Sequence, residues 1–285
     1  MKMQLFFSLC LLGWLAVGYA QQPILENQAM GGRAAAIGNA SANLVDSWAF
    51  FNNIAGIAKV ENMSILGAFE NRFGMSSFNT FSLAFVNPIF TGRNTNDGKH
   101  WGTIGLSISR FGDELFNVQR IGLGYAHEIE QVSLGLKVNY TQVAFQDLGS
   151  KGTFQFEFGG RAALSSQFSF AAHIFNFNQS VLRSNFAPDE RLPVIMKAGL
   201  AYTPIKPLLI AVESEKNLQF PATFKAGVEY QIVANFFLRT GINIRPYTNH
   251  FGLGYHTKKL HFDYALLTNN PLGLIHQLAL QYKIR

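Results

Sequence analysis

The chain is nearly without cysteine. Its 285 residues hold one, Cys10, and that one falls in a leader segment described below. Disulfides, cysteine metal sites and thiol nucleophiles are therefore excluded from the body of the protein. A thiol-free chain suits a periplasmic or outer-membrane setting, where oxidation otherwise has to be managed. Charge is scarce too: Asp, Glu, Lys and Arg make up 14%, against roughly 25% in soluble domains. Without Lys2 the formal net charge of +6 falls to +5, and the basic residues are scattered singly. No basic block marks a nucleic-acid surface, so no nucleic-acid partner is expected. Also missing after Ala20 is any run of about 18 apolar residues, so no spanning helix is written here.

What is present begins with that leader, MKMQLFFSLCLLGWLAVGYAQQ. Lys2 gives a positive start, Leu5 to Val17 an apolar centre, and Gly18-Tyr19-Ala20 a small-x-small cleavage signal. Residues 1–20 read as a signal peptide, with the mature chain beginning at Gln21. A membrane anchor is the alternative, but the apolar run is short for a bilayer and Gln21-Gln22 follow at once.

Beyond the leader, 48% of the whole chain is hydrophobic and Phe alone supplies 27 residues. Alternation accounts for high apolarity without long apolar runs. Val132, Leu134, Leu136, Val138 and Tyr140 would share one face of a strand; Ser133, Gly135, Lys137, Asn139 and Thr141 would share the other. The same period recurs in TFQFEFGGR, FKAGVEY, LHFDYAL and HQLALQYKI. It predicts about fourteen strands: 63–74, 77–87, 100–110, 117–129, 131–145, 152–165, 168–177, 194–203, 207–215, 222–232, 235–245, 249–257, 259–267 and 273–284. Most have about the 9–11 residues that a tilted strand needs to cross a bilayer.

The predicted class is all-β, a transmembrane outer-membrane barrel of about 14 antiparallel strands over 63–285. Both termini would be periplasmic, in the outer membrane of a Gram-negative bacterium. Longer links (146–151, 178–193, 216–221, 268–272) alternate with tight ones, as in such barrels. The link 88–99 breaks that rule, being long on the side of the short turns. A soluble β-sandwich would also alternate, but its polar faces would be rich in Lys and Glu. Here they carry Gly, Ser, Ala and Asn. Tyr125, Tyr140, Tyr202, Tyr230, Tyr255 and Tyr282 fall near the ends of apolar rows, where an interfacial girdle sits.

Residues 21–62 differ, being rich in small residues and nearly uncharged. Such a segment suits a plug packed inside a narrow wall, and Ala40 to Phe50 predicts a short helix capped by Asn39 or Ser41. A helix lying on the barrel rim is the alternative. Met30-Gly31-Gly32-Arg33-Ala34-Ala35-Ala36-Ile37-Gly38-Asn39-Ala40 resembles the G-x-R-A-A-x-M-G-x-A opening of the long-chain fatty-acid transporter (FadL-like) barrel superfamily. The likeness is greatest to its PorV/PorQ-like Bacteroidetes branch. Phe51-Asn52-Asn53-Ile54-Ala55-Gly56-Ile57-Ala58 is similar to that family's Y-N-P-A-G-L-A, with Ile54 in place of Pro. The resemblance covers about thirty residues. It implies fourteen strands and an N-terminal helical hatch, carried over onto Gly31, Gly32, Arg33, Gly38, Asn39, Trp48, Asn53, Ile54 and Gly56.

Catalytic chemistry is absent from the pattern. The seven histidines are scattered, without H-E-x-x-H or H-x-x-E-H spacing, so no metal site and no cofactor is expected. Ser169 with His173, or His261 with Asp263, are single coincidences rather than a triad. The glycines near Gly102, Gly105, Gly122 and Gly124 are strand glycines, since no helix start follows them. Alternation does turn charges inward: Arg120, Glu128, Lys137, Glu157, Arg161, Lys197, Glu213, Glu215, Lys225, Glu229, Arg239, Asp263 and Lys283. Their signs nearly balance, which predicts a lattice tying wall to wall and wall to plug.

Two non-enzymatic functions are expected in a setting of outer-membrane lipid. The resemblance and the economy of loops favour an accessory, partner-binding component of type IX protein secretion. The alternative is a passive transporter of hydrophobic small molecules such as fatty acids. Only the link 178–193, with Val181, Leu182 and Phe186, is long enough to shape an outer apolar capture site.

Overall fold

The computed structural model describes residues 29–91, 99–183, 189–269 and 272–284. Residues 1–28, where the signal peptide is expected, and Phe186 lie outside that description. Fourteen strands close one antiparallel barrel. In chain order they are β1 (Met63–Arg72), β2 (Asn79–Thr91), β3 (Lys99–Gly112), β4 (Phe116–Ile129), β5 (Val132–Phe145), β6 (Gly149–Ala163) and β7 (Phe168–Phe175). There follow β10 (Ile195–Ile205), β11 (Leu208–Asn217), β12 (Thr223–Val233), β13 (Phe236–Ile244), β14 (Tyr247–His256), β15 (Leu260–Asn269) and β16 (Gly273–Ile284). The remaining pair, β8 (Val181–Leu182) and β9 (Glu190–Arg191), is a small ribbon in the link after β7. β1 pairs with β16 from Met63↔Ile284 to Arg72↔Ile275, so the ring closes with its two ends side by side.

All fourteen predicted strands are present, as the sequence pattern demands. A strand between lipid and a polar interior must alternate, because a slip of one residue would swap its two faces. Phe81, Leu83, Ile121, Leu123, Phe154, Phe251 and Leu253 are exposed on the outer surface. Their neighbours Ser82, Lys137, Glu157, Arg239 and Asp263 are buried inside. Such an apolar exterior belongs to a barrel whose solvent is lipid. The largest boundary difference is at β2, which runs on to Thr91, so residues 88–91 of the link anticipated as 88–99 are strand.

Residues 29–62 fill the lumen. From Ala29 to Val60 all are buried except half-buried Arg33, Asn39, Val45 and Asp46 and exposed Lys59. This placement sets aside the rim-helix alternative. The helical pieces also differ from expectation: α1 is Gly32–Ala36, α2 is Ala49–Asn52, and a 3₁₀ turn spans Ile54–Lys59. The stretch 40–48 holds turns instead of the predicted helix, and Asn39 stands in the left-handed region with φ 60°. The physical reason is that wall and plug side chains satisfy the backbone there. The Ala42 N–H donates to Glu213, the Ala42 carbonyl accepts from Asn53, and the Asn43 carbonyl accepts from Arg161. A buried backbone needs partners, not a particular helix.

Candidate functional site

The plug and wall are matched in shape by small residues on both sides. A Cβ added at Gly135 would lie 2.9 Å from Ile54 and 3.0 Å from the Ala55 nitrogen; at Gly105 it would lie 2.4 Å from the Phe50 ring. Gly227 and Gly241 leave the same room for Ile37 and Gly38, and Gly252 for Ala36. Gly38 is required twice: its φ is +73°, and a Cβ would meet the Ala226 and Ile242 carbonyl oxygens at 2.7 Å. Gly31, Gly32 and Gly56 crowd in turn against Trp48, Asp263 and Leu44. These contacts complete an apolar core in which Trp48, Phe50, Ile54 and Ile57 pack against Leu66, Val86 and Ala126 of the wall.

At Ile54, where the resembled family has Pro, the turn is made by its neighbour. The Asn53 carboxamide accepts from the Ala55 N–H at 3.2 Å and donates to the Ala42 carbonyl at 2.8 Å. Ile54 itself is fully buried and fills the space left by Gly124, Gly135 and Gly159. Asn52 clasps Met30 in both directions, accepting at 2.9 Å and donating at 2.8 Å.

Charge completes the fit. Arg33 grips Glu229 with two nitrogens, Nε at 2.8 Å and Nη2 at 2.7 Å, and reaches Asp46 at 3.0 Å. Arg239, buried in the wall, holds Glu229 at 2.5 Å and Asp263 at 2.6 Å, and His256 approaches Asp263 at 2.9 Å. Burial alone would push the Arg33 guanidinium down, but Glu229 and Asp46 outweigh it and raise its proton affinity.

A second group joins Lys137 to Glu157 at 3.4 Å, with His173 at 3.2 Å, while the Lys137 ammonium donates to the Phe50 carbonyl at 3.0 Å. The third places Lys225 between Glu213 (3.4 Å) and Glu215 (2.6 Å), with Lys197 3.6 Å from Glu215. Four of these pairs are direct rung partners across neighbouring strands: Lys137↔Glu157, Lys197↔Glu215, Glu213↔Lys225 and Glu229↔Arg239. Opposite charges facing across a rung stabilise a sheet.

Arg120 donates to Thr141 at 3.2 Å and lies over the Phe175 ring, while Arg161 holds the Asn43 carbonyl. Glu128 pairs with Lys59 at the rim at 2.6 Å. Lys283 lines a cavity of about 330 Å³ beside Arg33, Asp46, His256 and Asp263, at the end carrying both strand termini. Among the described residues no set of three or more His, Cys, Asp or Glu could hold a metal.

The opposite end of the lumen is different in kind, and of it the sequence reading named only the link 178–193 with Leu182. Phe111, Val118 and Val143 point inward from the ends of β3, β4 and β5 remote from Met63 and Ile284, and cluster with Leu182 and Leu192 of the link after β7. Phe78 and Phe116 pack against this group. The signal was available: apolar side chains at positions of inward parity, where the rest of each face is polar.

The fold thus defines a class: a fourteen-stranded antiparallel β-barrel with an apolar exterior, closed around an N-terminal segment. No family model matches the chain, and no curated protein does. Solved structures match it closely in course. The CymD monoaromatic hydrocarbon channel superposes with a TM-score of 0.61 at 11% identity, over 90% of this chain and 98% of that one. A Pseudomonas aeruginosa FadL homologue gives 0.60 at 12% identity, over 91% and 98%. The Pseudomonas putida toluene transporter TodX gives 0.57 at 10%, over 90% and 98%. At such identity the likeness is one of fold.

Proposed function

We propose that the chain is a passive, non-enzymatic outer-membrane channel for hydrophobic small molecules. The observation that carries this reading is the apolar mouth of Phe111, Phe116, Val118, Val143, Leu182 and Leu192, set inside the wall above a polar, plugged lumen. A polar solute gains nothing there, whereas an apolar one leaves water on entering it. The mouth captures the compound, and displacement of residues 29–62 releases it, as in a hatch. Supporting it, barrels of the same fold carry names of hydrocarbon channels and a toluene transporter. The reading reverses the weight given to secretion on sequence grounds, where brevity of the loops favoured a scaffold. Both termini face the periplasm in this reading, after removal of residues 1–20.

A secretion-accessory role keeps one observation in its favour, the dense locking of the plug by Arg33, Asn52 and Lys137. Uptake separates the two. Cells lacking their own hydrocarbon transporter should accumulate labelled toluene or oleate when they express the chain. The Val118→Thr/Val143→Thr variant should do so poorly while keeping its heat-modifiable band. No uptake above empty-vector cells, with co-purification of a secretion translocon, would overturn the channel.

A further inference from the structure

At the end of the barrel carrying both strand termini, β2 and β3 keep pairing after β2 has parted from β1 and β3 from β4. β1 pairs with β2 no further than Ser64↔Val86, and β4 pairs with β3 no further than Thr103↔Ala126. β2 and β3 continue to pair through Asn87↔Ile104, Pro88↔Thr103, Phe90↔His100 and Thr91↔Lys99. These rungs form a β2–β3 ribbon whose last two are bonded to neither β1 nor β4, while β4 runs on beside β5 to Ile129↔Val132. Such a ribbon is only marginally stable in water unless it rests on something.

The ribbon contains a bulge with a consequence for one side chain. Its register shifts between Pro88 and Phe90, and opposite that shift Gly102 has φ +98°. Along β3, Thr103, Gly105 and Ser107 face inward, while Ile104, Leu106 and Ile108 face out. Strict alternation would aim Trp101 inward as well. Instead Gly102 and Thr103 are buried in succession and Trp101 is 51% exposed, on the side of exposed Ile89. Bulges characteristically re-aim a side chain in this way. Glycine is required at the pivot, because a Cβ would lie 2.5 Å from the Ala126 carbonyl and 2.6 Å from the Tyr125 hydroxyl. That hydroxyl donates to the Trp101 carbonyl and ties the ribbon to the wall.

Ile89, Trp101 and Tyr125 continue the outer apolar surface of Phe85, Ile104 and Leu106. Trp and Tyr concentrate where a bilayer meets water, apolar body inward and polar edge outward. We infer that the ribbon 87–91/99–104 is a membrane-surface anchor. Trp101 and Ile89 seat in the headgroup–acyl boundary of the leaflet at the terminal end and hold the hairpin flat to the bilayer. Continuity with the lipid-facing belt selects lipid over a soluble protein as the occupant. The inference rests on the membrane-spanning fold and not on what the barrel transports.

Tryptophan is a direct reporter, since the chain holds only Trp14, Trp48 and Trp101. The full chain and its Trp101→Phe variant are reconstituted in phosphatidylcholine vesicles, and the difference between their emission spectra isolates Trp101. That component should be blue-shifted, should lose most of its intensity with lipids brominated near the headgroup, and should resist aqueous iodide. Quenching by iodide without quenching by brominated lipid would overturn the anchor and leave the ribbon free for a soluble partner. In the Gly102→Val variant the Trp101 contribution should lose its lipid quenching. Lipid quenching retained in a folded Gly102→Val protein would overturn the role of the bulge. Should that variant fail to show a heat-modifiable band, the Trp101→Phe difference decides alone.

Discussion

The two ends of the lumen are built from the same strands by different physics. β4 offers Gly124 to Ile54 near one end and Val118 to an apolar mouth near the other; β5 likewise offers Gly135 and Lys137, then Val143. Toward the plug the contacts are directional, made of rung-paired ions and backbone hydrogen bonds that fix one arrangement. Toward the mouth they are apolar and non-directional, tolerant of an exchangeable occupant. In the channel proposed above, sealing and capture are divided along the axis of the tube.

The comparison breaks most severely if charge does not hold the plugged half. Replacing Arg239 by Met leaves the Glu229 and Asp263 carboxylates inside the wall without the guanidinium that joins them. Removing one member of a buried ionic group costs about 3–5 kcal/mol. The urea midpoint of the heat-modifiable band should fall accordingly, and an unchanged midpoint would mean that packing alone seals the tube.

Shape comes next. Gly135→Val places branched carbon where Ile54 and Ala55 now sit, and overpacking of this kind costs typically about 1–3 kcal/mol. The plug, not the closed wall, is the part able to yield. Liposome swelling should therefore reveal a leak to small sugars, with the barrel still folded. A tight, fully stable variant would show that the glycine lining is incidental.

At the mouth, Val118→Thr with Val143→Thr keeps volume and adds two hydroxyls. An unsatisfied buried hydroxyl costs about 1–3 kcal/mol, so capture should weaken by roughly tenfold, since about 1.4 kcal/mol is a factor of ten. Uptake measured against concentration should shift to higher KM. Sealing against sugars should not change, which keeps the two halves separable.

Much of this was legible because lipid outside and a polar inner wall face impose a period of two. Parity placed Lys137, Glu157, Lys197, Glu229 and Arg239 on the inner face. Their partners follow only from register, and four pairs turn out to be direct rung neighbours. A register traced through the turn 146–148, between β5 and β6, would have matched Lys137 with Glu157 from sequence. Arg33 with Glu229 lies beyond such tracing, since 196 residues separate them. The helix anticipated over 40–50 is absent because Glu213, Asn53 and Arg161 satisfy that backbone, a tertiary effect that overrides local propensity. Trp101 shows the limit of parity itself, as one bulge at Gly102 reverses the face.

The smallest expected effect tests whether burial, and not charge alone, distinguishes the plugged half. Lys59 ends the 3₁₀ turn and meets Glu128 at 2.6 Å, shorter than any pair made by Lys137. Yet its side chain is 38% exposed, and that of Glu128 24%. Water competes for both groups, and salt screens them over about 8 Å at physiological ionic strength. Exposed pairs of this kind contribute about 0.2–1 kcal/mol. Lys59→Gln should therefore move the urea midpoint only slightly, less so at high salt, with no leak to sugars. If it proved as damaging as Arg239→Met, the seal would have to be assigned to the rim, and the deep ion pairs would be reduced to setting register.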